Sequence, residues 1–206
     1  EPDEGVLCAF APDGVQRWCW QLPIWHVANP LVGADGTIYL ASTKGSWLAV
    51  SIVDGQPKLA WELPSEGTPE PRLSLDRDGV VYGLERAPFQ GGQENFLVAI
   101  GPEGQIRWRQ PLAAYEGKIG GDPGGWVLTA PRGNVWLQGG TDEPDHISIL
   151  EWTAAGEYRR KVSLPFELRP LNLGLDSQPT FRSPKVPIQG TFSEPALGRY
   201  GMLLAG

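Results

Sequence analysis

An all-β chain of successive four-stranded antiparallel units is what this sequence predicts, and three observations predict it. The phrase WQLP at residues 20–23 returns as WELP at residues 61–64, 41 positions later. Turn glycines precede the phrase each time, Gly14 and Gly55, and looser copies follow Gly104 and Gly156, with glycine spacings of 41, 49 and 52 residues. A period of about 40–45 residues is that of one four-stranded propeller blade. Third, Gly 27 and Pro 20 make up nearly a quarter of the 206 residues, as expected of short strands joined by tight turns. A unit of this kind cannot bury both of its faces alone and stacks on copies of itself. The expected architecture is therefore a β-propeller with about four blades present, either a closed ring or part of a larger one of about seven or eight blades.

Each element follows in order. Residues 6–10 (VLCAF) and 16–21 (QRWCWQ) read as the third and fourth strands of a unit, so residues 1–23 form a half-blade. The first whole blade, 24–64, holds a strand at 30–34, an Asp35-Gly36 turn and an alternating strand TIYLAS at 37–42. A Lys44-Gly45 turn, a third strand at 47–52, an Asp54-Gly55 turn and a fourth strand at 58–63 complete it. Asp-Gly between alternating apolar runs is a strong hairpin signal. The second blade, 65–112, repeats that order through RLSL, Asp78-Gly79, VVYGLE, a loop at Gly91-Gly92, FLVAI, Glu103-Gly104 and IRWRQ. The third, 113–165, runs through WVLTA, a hairpin at Arg132-Gly133-Asn134, VWLQGG, ISILEW and the run after Gly156. No helix is expected.

Residues 166–206 form a second half-blade ending in RYGMLLAG. Joined end to end, GMLLAG-EPDEG-VLCAF parallels GTIYLAS-TKGS-WLAVS at residues 36–51, which suits a ring closed by its last strands; a cut through a longer propeller suits the same pattern. The stretch 176–197 carries Pro179, Pro184, Pro187 and Pro195 and is expected to be loop or irregular edge, because proline cannot donate to a ladder.

Composition narrows the function. The net charge of −7, with acids and bases interspersed, excludes the clustered basic face of a nucleic-acid binder. No apolar run approaches the roughly 18 residues of a membrane-spanning helix. Residue 1 is Glu, which suits a processed protein or a piece of a longer one.

Cys8 and Cys19 lie on the two arms of one hairpin. Pro12-Asp13-Gly14 favours a type I turn with glycine in the left-handed region, so that Ala11 pairs with Val15 and Cys8 with Trp18. Free, packed thiols are the expectation. His26 and His146 are 120 positions apart, and the acids Asp142, Glu143 and Asp145 before His146 read as a solvated loop. Asp76-x-Asp78-Gly79 has the look of a calcium loop, but Val80 sits where the next oxygen ligand belongs, and a turn explains it. There is no phosphate-binding loop, nucleophile elbow or metalloprotease helix. No metal, cofactor or catalytic residue is therefore assigned.

The repeats resemble those of PQQ-like, or quinoprotein-like, propellers. The best match is DGTIYLASTKGSWLAVSIVDGQPKLAW at residues 35–61, and DGVVYGLE with FLVAIGPEGQIRW, between 78 and 108, is the second. The resemblance implies that a Trp after the Gly turn packs on the neighbouring blade. Trp18, Trp61 and Trp108 match that position, Trp61 lying two residues further from its glycine, and Arg160 replaces it in the fourth copy. A broad indole with one donor suits that structural role. The family contains quinone-dependent dehydrogenases and members that bind no cofactor. The adjacent cysteines of the dehydrogenases are lacking here, so the resemblance implies a non-enzymatic scaffold that binds another protein, placed in the periplasm, on the cell surface or outside the cell. The alternative is a carbohydrate-binding or carbohydrate-active propeller, in which Trp25, Tyr115 or Trp126 would stack on sugar rings. A concave pocket with two close carboxylates would favour the sugar enzyme, and an apolar patch a protein partner.

Overall fold

The computed structural model describes residues 5–22, 30–115, 127–130, 133–140, 146–165, 167–169, 180–182, 196–197 and 203–204. The chain divides into two compact units, Glu1–Pro111 and Leu112–Gly206. In the first, β1 (Val6–Phe10) and β2 (Gln16–Gln21) form a two-stranded hairpin. Next come β3 (Leu31–Val32), β4 (Ile38–Ser42), β5 (Ser46–Val53) and β6 (Gln56–Pro64), then β7 (Thr68–Leu75), β8 (Val81–Phe89), β9 (Gly92–Ile100) and β10 (Ile106–Pro111). Each group of four is one antiparallel meander with its strands paired in chain order.

The second unit carries a third four-stranded meander: β11 (Val127–Thr129), β12 (Val135–Gly140), β13 (His146–Trp152) and β14 (Tyr158–Pro165). Two short pairs follow, β15 (Glu167–Arg169) with β16 (Thr180–Arg182), and β17 (Ala196–Leu197) with β18 (Leu203–Leu204). Strands β16 and β17 thus interrupt the proline-rich stretch expected to be loop. A single 3₁₀ turn at Leu112–Tyr115 is the one helical element among the described residues. None of the described helical structure is long and apolar enough to cross a membrane. The chain is all-β, as expected, and built of four-stranded antiparallel sheets.

One turn recurs. At Ala11, Gly33, Asp76, Gly101, Ala130 and Thr153 the amide donates to the carbonyl four residues on, and the intervening glycine donates back. That glycine always has φ between 77° and 85°, the left-handed conformation that closes a type I turn into a hairpin. Two other described hairpins use a different turn. Asp54-Gly55 and Gln90-Gly91 are two-residue loops with both φ values positive, as a type I′ turn requires.

The hairpin joining the last two strands of each group also carries a β-bulge. The extra residue is Arg17, Ala60, Arg107 or Arg159, and the residue after it is Trp18, Trp61, Trp108 or Arg160. This bulge corrects the cysteine expectation. Ala11 does meet Val15 across the turn, but the bulge at Arg17 advances β2 by one place. Cys8 then faces Cys19 rather than Trp18, with Cα atoms 4.1 Å apart, and the two form a disulfide.

The sheet β3–β6 is covered on both faces. Tyr39, Ala41, Trp47 and Ala49 pack against Val81, Ala87, Phe96, Val98 and Ile100 of the next sheet. Ile38, Leu40, Leu48 and Val50 face the other way and meet Leu7, Trp18 and Trp20 of the first hairpin. This explains why β4 is buried at every position, where a half-solvated strand would alternate. Gly83 is required here: a Cβ on it would lie 2.6 Å from the Trp47 ring.

Candidate functional site

Two of the matched tryptophans, Trp61 and Trp108, belong to a repeated row that crosses three strands. Tyr39 on β4 lies opposite Ala49 on β5, which lies opposite Trp61 on β6. Tyr82, Ala99 and Trp108 make the same row in the next sheet. The alanine leaves room for the outer rings to meet above it, with centroids 6.1 Å apart for Tyr39 and Trp61 and 5.8 Å for Tyr82 and Trp108. In the β11–β14 sheet the row becomes Trp136, Glu151 and Arg160. Arg160 Nε donates to Glu151 at 2.6 Å and Asn134 Nδ2 donates to its other oxygen at 2.6 Å. Burial pushes the Glu151 carboxyl up, but hydrogen bonds from Arg160 and its neighbours outweigh this and hold it below the usual glutamate range.

Trp61 also reaches the neighbouring sheet. Its indole N–H donates to the Pro102 carbonyl at 2.8 Å, and its ring lies on Gly104, where a Cβ would approach it within 2.8 Å. Trp18 packs on Ile38, Leu40, Leu48 and Val50 together with Leu7 and Trp20.

The remaining sequence candidates are not brought together. Trp25, Trp126, His26 and the acids Asp142, Glu143 and Asp145 lie outside the described residues. Tyr115 is half-buried, edge-on to Trp152 at 5.5 Å and tilted against Tyr158 at 4.6 Å. Asp76 is occupied within its own turn: Oδ1 accepts from the amides of Asp78 and Val80, each at 2.9 Å, and Oδ2 from the Tyr82 hydroxyl at 2.9 Å. Burial, reinforced by that carboxylate, holds the Tyr82 phenol well above its ordinary range. No group of three or more His, Cys, Asp or Glu able to hold a metal is present among the described residues.

Two features escaped the sequence reading. One is a charged cluster between β6 and the β7–β10 sheet. Buried Glu85 accepts from Arg109 Nε and from the Ser65 hydroxyl, while Arg109 also pairs with Glu66 at 3.0 Å and lies 3.4 Å above the centroid of the Phe96 ring. Both carboxylates share one guanidinium, so neither stands as a free acid or base. The cluster lashes the 65–67 connector to the sheet.

The other is a set of exposed apolar side chains beside hairpin turns of the first unit. In a meander, the turn between strands one and two and the turn between strands three and four lie at the same end. Phe10 and Val15 flank the β1–β2 turn, Val32 the β3–β4 turn, Ile52 and Val53 the β5–β6 turn and Ile106 the β9–β10 turn; all are exposed, Phe10, Val15 and Val32 by 60% or more. The apolar character of these residues was visible in the sequence, but their exposure depends on where the strands end. No protein-family model matches the chain, and no curated protein matches it.

Proposed function

We propose that this chain is a β-propeller, or a segment of one, of the PQQ-like repeat kind, and that it serves as a non-enzymatic scaffold that binds another protein. The observation that carries the reading is that six large apolar side chains beside hairpin turns of the first unit, Phe10, Val15, Val32, Ile52, Val53 and Ile106, are exposed. Exposed apolar side chains of this size mark a protein interface more than a catalytic one. The propeller reading is supported by meanders that cover both faces of the sheet between them. Sugar binding would call for solvent-facing aromatics, and Tyr115 instead packs between Trp152 and Tyr158. A periplasmic, cell-surface or secreted location is part of the proposal, and the Cys8–Cys19 disulfide is compatible with an oxidising compartment.

Site-specific photo-crosslinking in the native host tests the interface. A benzophenone side chain at Phe10 or Val53 is expected to trap one discrete protein, and the same group at exposed Gln93, beside the opposite turn, is expected to trap none. Equal labelling from both ends, or no product from either, would refute the interface. An experimental structure in which the sheets do not surround a common axis would refute the propeller.

A further inference from the structure

The Cys8–Cys19 bridge occupies a pair of facing positions that the four-stranded sheets also carry. Cys8 is the residue before Ala9, and Cys19 is the residue after its partner Trp18. The same two positions elsewhere hold Leu48 opposite Glu62, Val98 opposite Arg109 and Leu150 opposite Lys161. The first member of each pair is aliphatic and exposed by 3% or less. The second is charged and lies on the last strand of its sheet. Cys8 therefore stands at a core position and Cys19 at a rim position. Their burial agrees, Cys8 being half-buried and Cys19 exposed. Glu62 stays exposed although the β3–β6 sheet is covered on both faces. Access to Cys19 thus follows from its place on the strand, whatever packs on the hairpin.

Strand pairing, rather than the bridge, brings the two sulfurs together. Val6, Leu7 and Ala9 pair with Gln21, Trp20 and Trp18 on either side of it. The turn closes on its own hydrogen bonds, Ala11 N–H to the Val15 carbonyl at 2.8 Å and Gly14 N–H to the Ala11 carbonyl at 2.9 Å. Leu7, Trp18 and Trp20 fix the hairpin against Ile38, Leu40, Leu48 and Val50. An opened bridge therefore leaves its thiols face to face, ready to close again. What opening frees is the tip, because Phe10 and the turn lie beyond the bridge.

We propose that Cys8–Cys19 is an exchangeable disulfide, opened at Cys19 by a dithiol, that switches the first hairpin between a bridged form and a reduced form with a loosened tip. One thiolate of the dithiol attacks Cys19 Sγ and bonds to it. The Cys8–Cys19 bond breaks, and Cys8 leaves as a thiolate that takes a proton from water. The second thiolate of the dithiol then attacks its own partner sulfur in the mixed disulfide and releases Cys19. The dithiol closes to a disulfide and gives up two electrons, which the hairpin gains as two thiols. Access selects the sulfur that is attacked, and exposed bridges are the labile ones.

The test uses the full, oxidised chain with dithiothreitol as the dithiol. In native buffer the bridge should open within about tenfold of its rate in urea, since Cys19 is reached without unfolding. A bridge that opened only through global unfolding would be slower in native buffer by about a thousandfold or more. A native rate more than about a hundredfold below that in urea would overturn the proposal. Acid-quenched exchange with glutathione, mapped by mass spectrometry, should place the adduct on Cys19 over Cys8 by about tenfold or more. An equal split, or a preference for Cys8, would overturn it as well. Cys8→Ser and Cys19→Ser chains repeat the comparison with a thiol reagent, and the mapping on the parent decides should either variant not fold. Glutathione disulfide should then close the bridge again without denaturant. Hydrogen exchange of the Ala11 and Gly14 amides, both donors in the turn, should be about tenfold or more faster in the reduced form. Closure only after unfolding and refolding, or turn amides indifferent to the bridge, would refute the switch.

Discussion

Replacing Trp61 separates the two contacts that this side chain makes with the neighbouring sheet. Trp61→Phe keeps a ring over Gly104 but removes the indole donor, leaving the Pro102 carbonyl without its 2.8 Å partner. A hydrogen bond of this kind contributes about 0.5–1.5 kcal/mol net, so a loss near 1 kcal/mol is expected. Trp61→Ala also removes the ring that meets Tyr39 at 6.1 Å. Full burial of such a ring would make the cost about 3–5 kcal/mol, and half-burial reduces it to about 2–3. Gly104 supplies the cross-check. Its φ of 81° disfavours any side chain, and a Cβ would stand 2.8 Å from the Trp61 ring. Gly104→Ala should therefore cost about 1–2 kcal/mol for the backbone alone and at least 1 kcal/mol more while Trp61 is present. Urea unfolding followed by far-UV circular dichroism, run on both single variants and the double variant, gives the coupling directly. Strictly additive losses, or a Trp61→Phe variant within 0.3 kcal/mol or so of the parent, would refute this account of how adjacent sheets are joined.

Reduction of Cys8–Cys19 should destabilise the first hairpin by about 2–3 kcal/mol, the loop-closure value for a separation of 11 residues. Hydrogen exchange of β1 and β2 amides before and after reduction checks it, and thiol titration in denaturant should find free thiols only after reductant is added. Glu85→Gln should be costly, near the low end of the roughly 3–5 kcal/mol for breaking a buried ion pair, because Arg109 keeps some contact with water. A denaturation midpoint unchanged from the parent would show that the cluster does not hold the 65–67 connector. Glu151 ionises below the ordinary glutamate value of about 4.3, so its contribution is complete above that pH and is lost as the pH falls through its folded-state value. The parent should lose β11–β14 stability on acidification below about pH 5, and Glu151→Gln should be weaker at neutral pH with a flatter profile. Parallel curves from tryptophan fluorescence would count against it.

Much of the fold could be read from local chemistry. The glycines of the recurring turn announced the strand ends, because few other residues adopt a φ near 80°. The alternating apolar runs announced the strands. The bulges could not be read in this way. Each adds one residue with no compositional mark, since Arg17, Ala60, Arg107 and Arg159 share no chemistry that demands it. Missing the bulge at Arg17 was enough to put Cys8 opposite the wrong residue. A faint signal was present, for VLCAF, WLAVS and FLVAI all carry the alanine that faces the tryptophan. The Glu85–Arg109 pair was beyond reach for another reason: its members are 24 residues apart on strands separated by β9, so only the register unites them. Tyr115, which the carbohydrate alternative would set against a sugar ring, packs with Trp152 and Tyr158, a neighbourhood that no local sequence signal announces because an aromatic's surroundings are set by what folds over it.

The repeated bulge bears on how much this fold can change. The β5–β6 arm carries four residue pairs beyond its bulge, and the β9–β10 arm carries one, yet both place alanine opposite tryptophan. The bulge thus works as a clutch between tip and body: an arm can grow or shrink outside it while the body stays in phase. Grafted epitopes or lengthened fingers should be tolerated at Asp54-Gly55, whereas a single-residue insertion between Ala49 and the tip would swing the Trp61 side chain to the wrong side of its sheet.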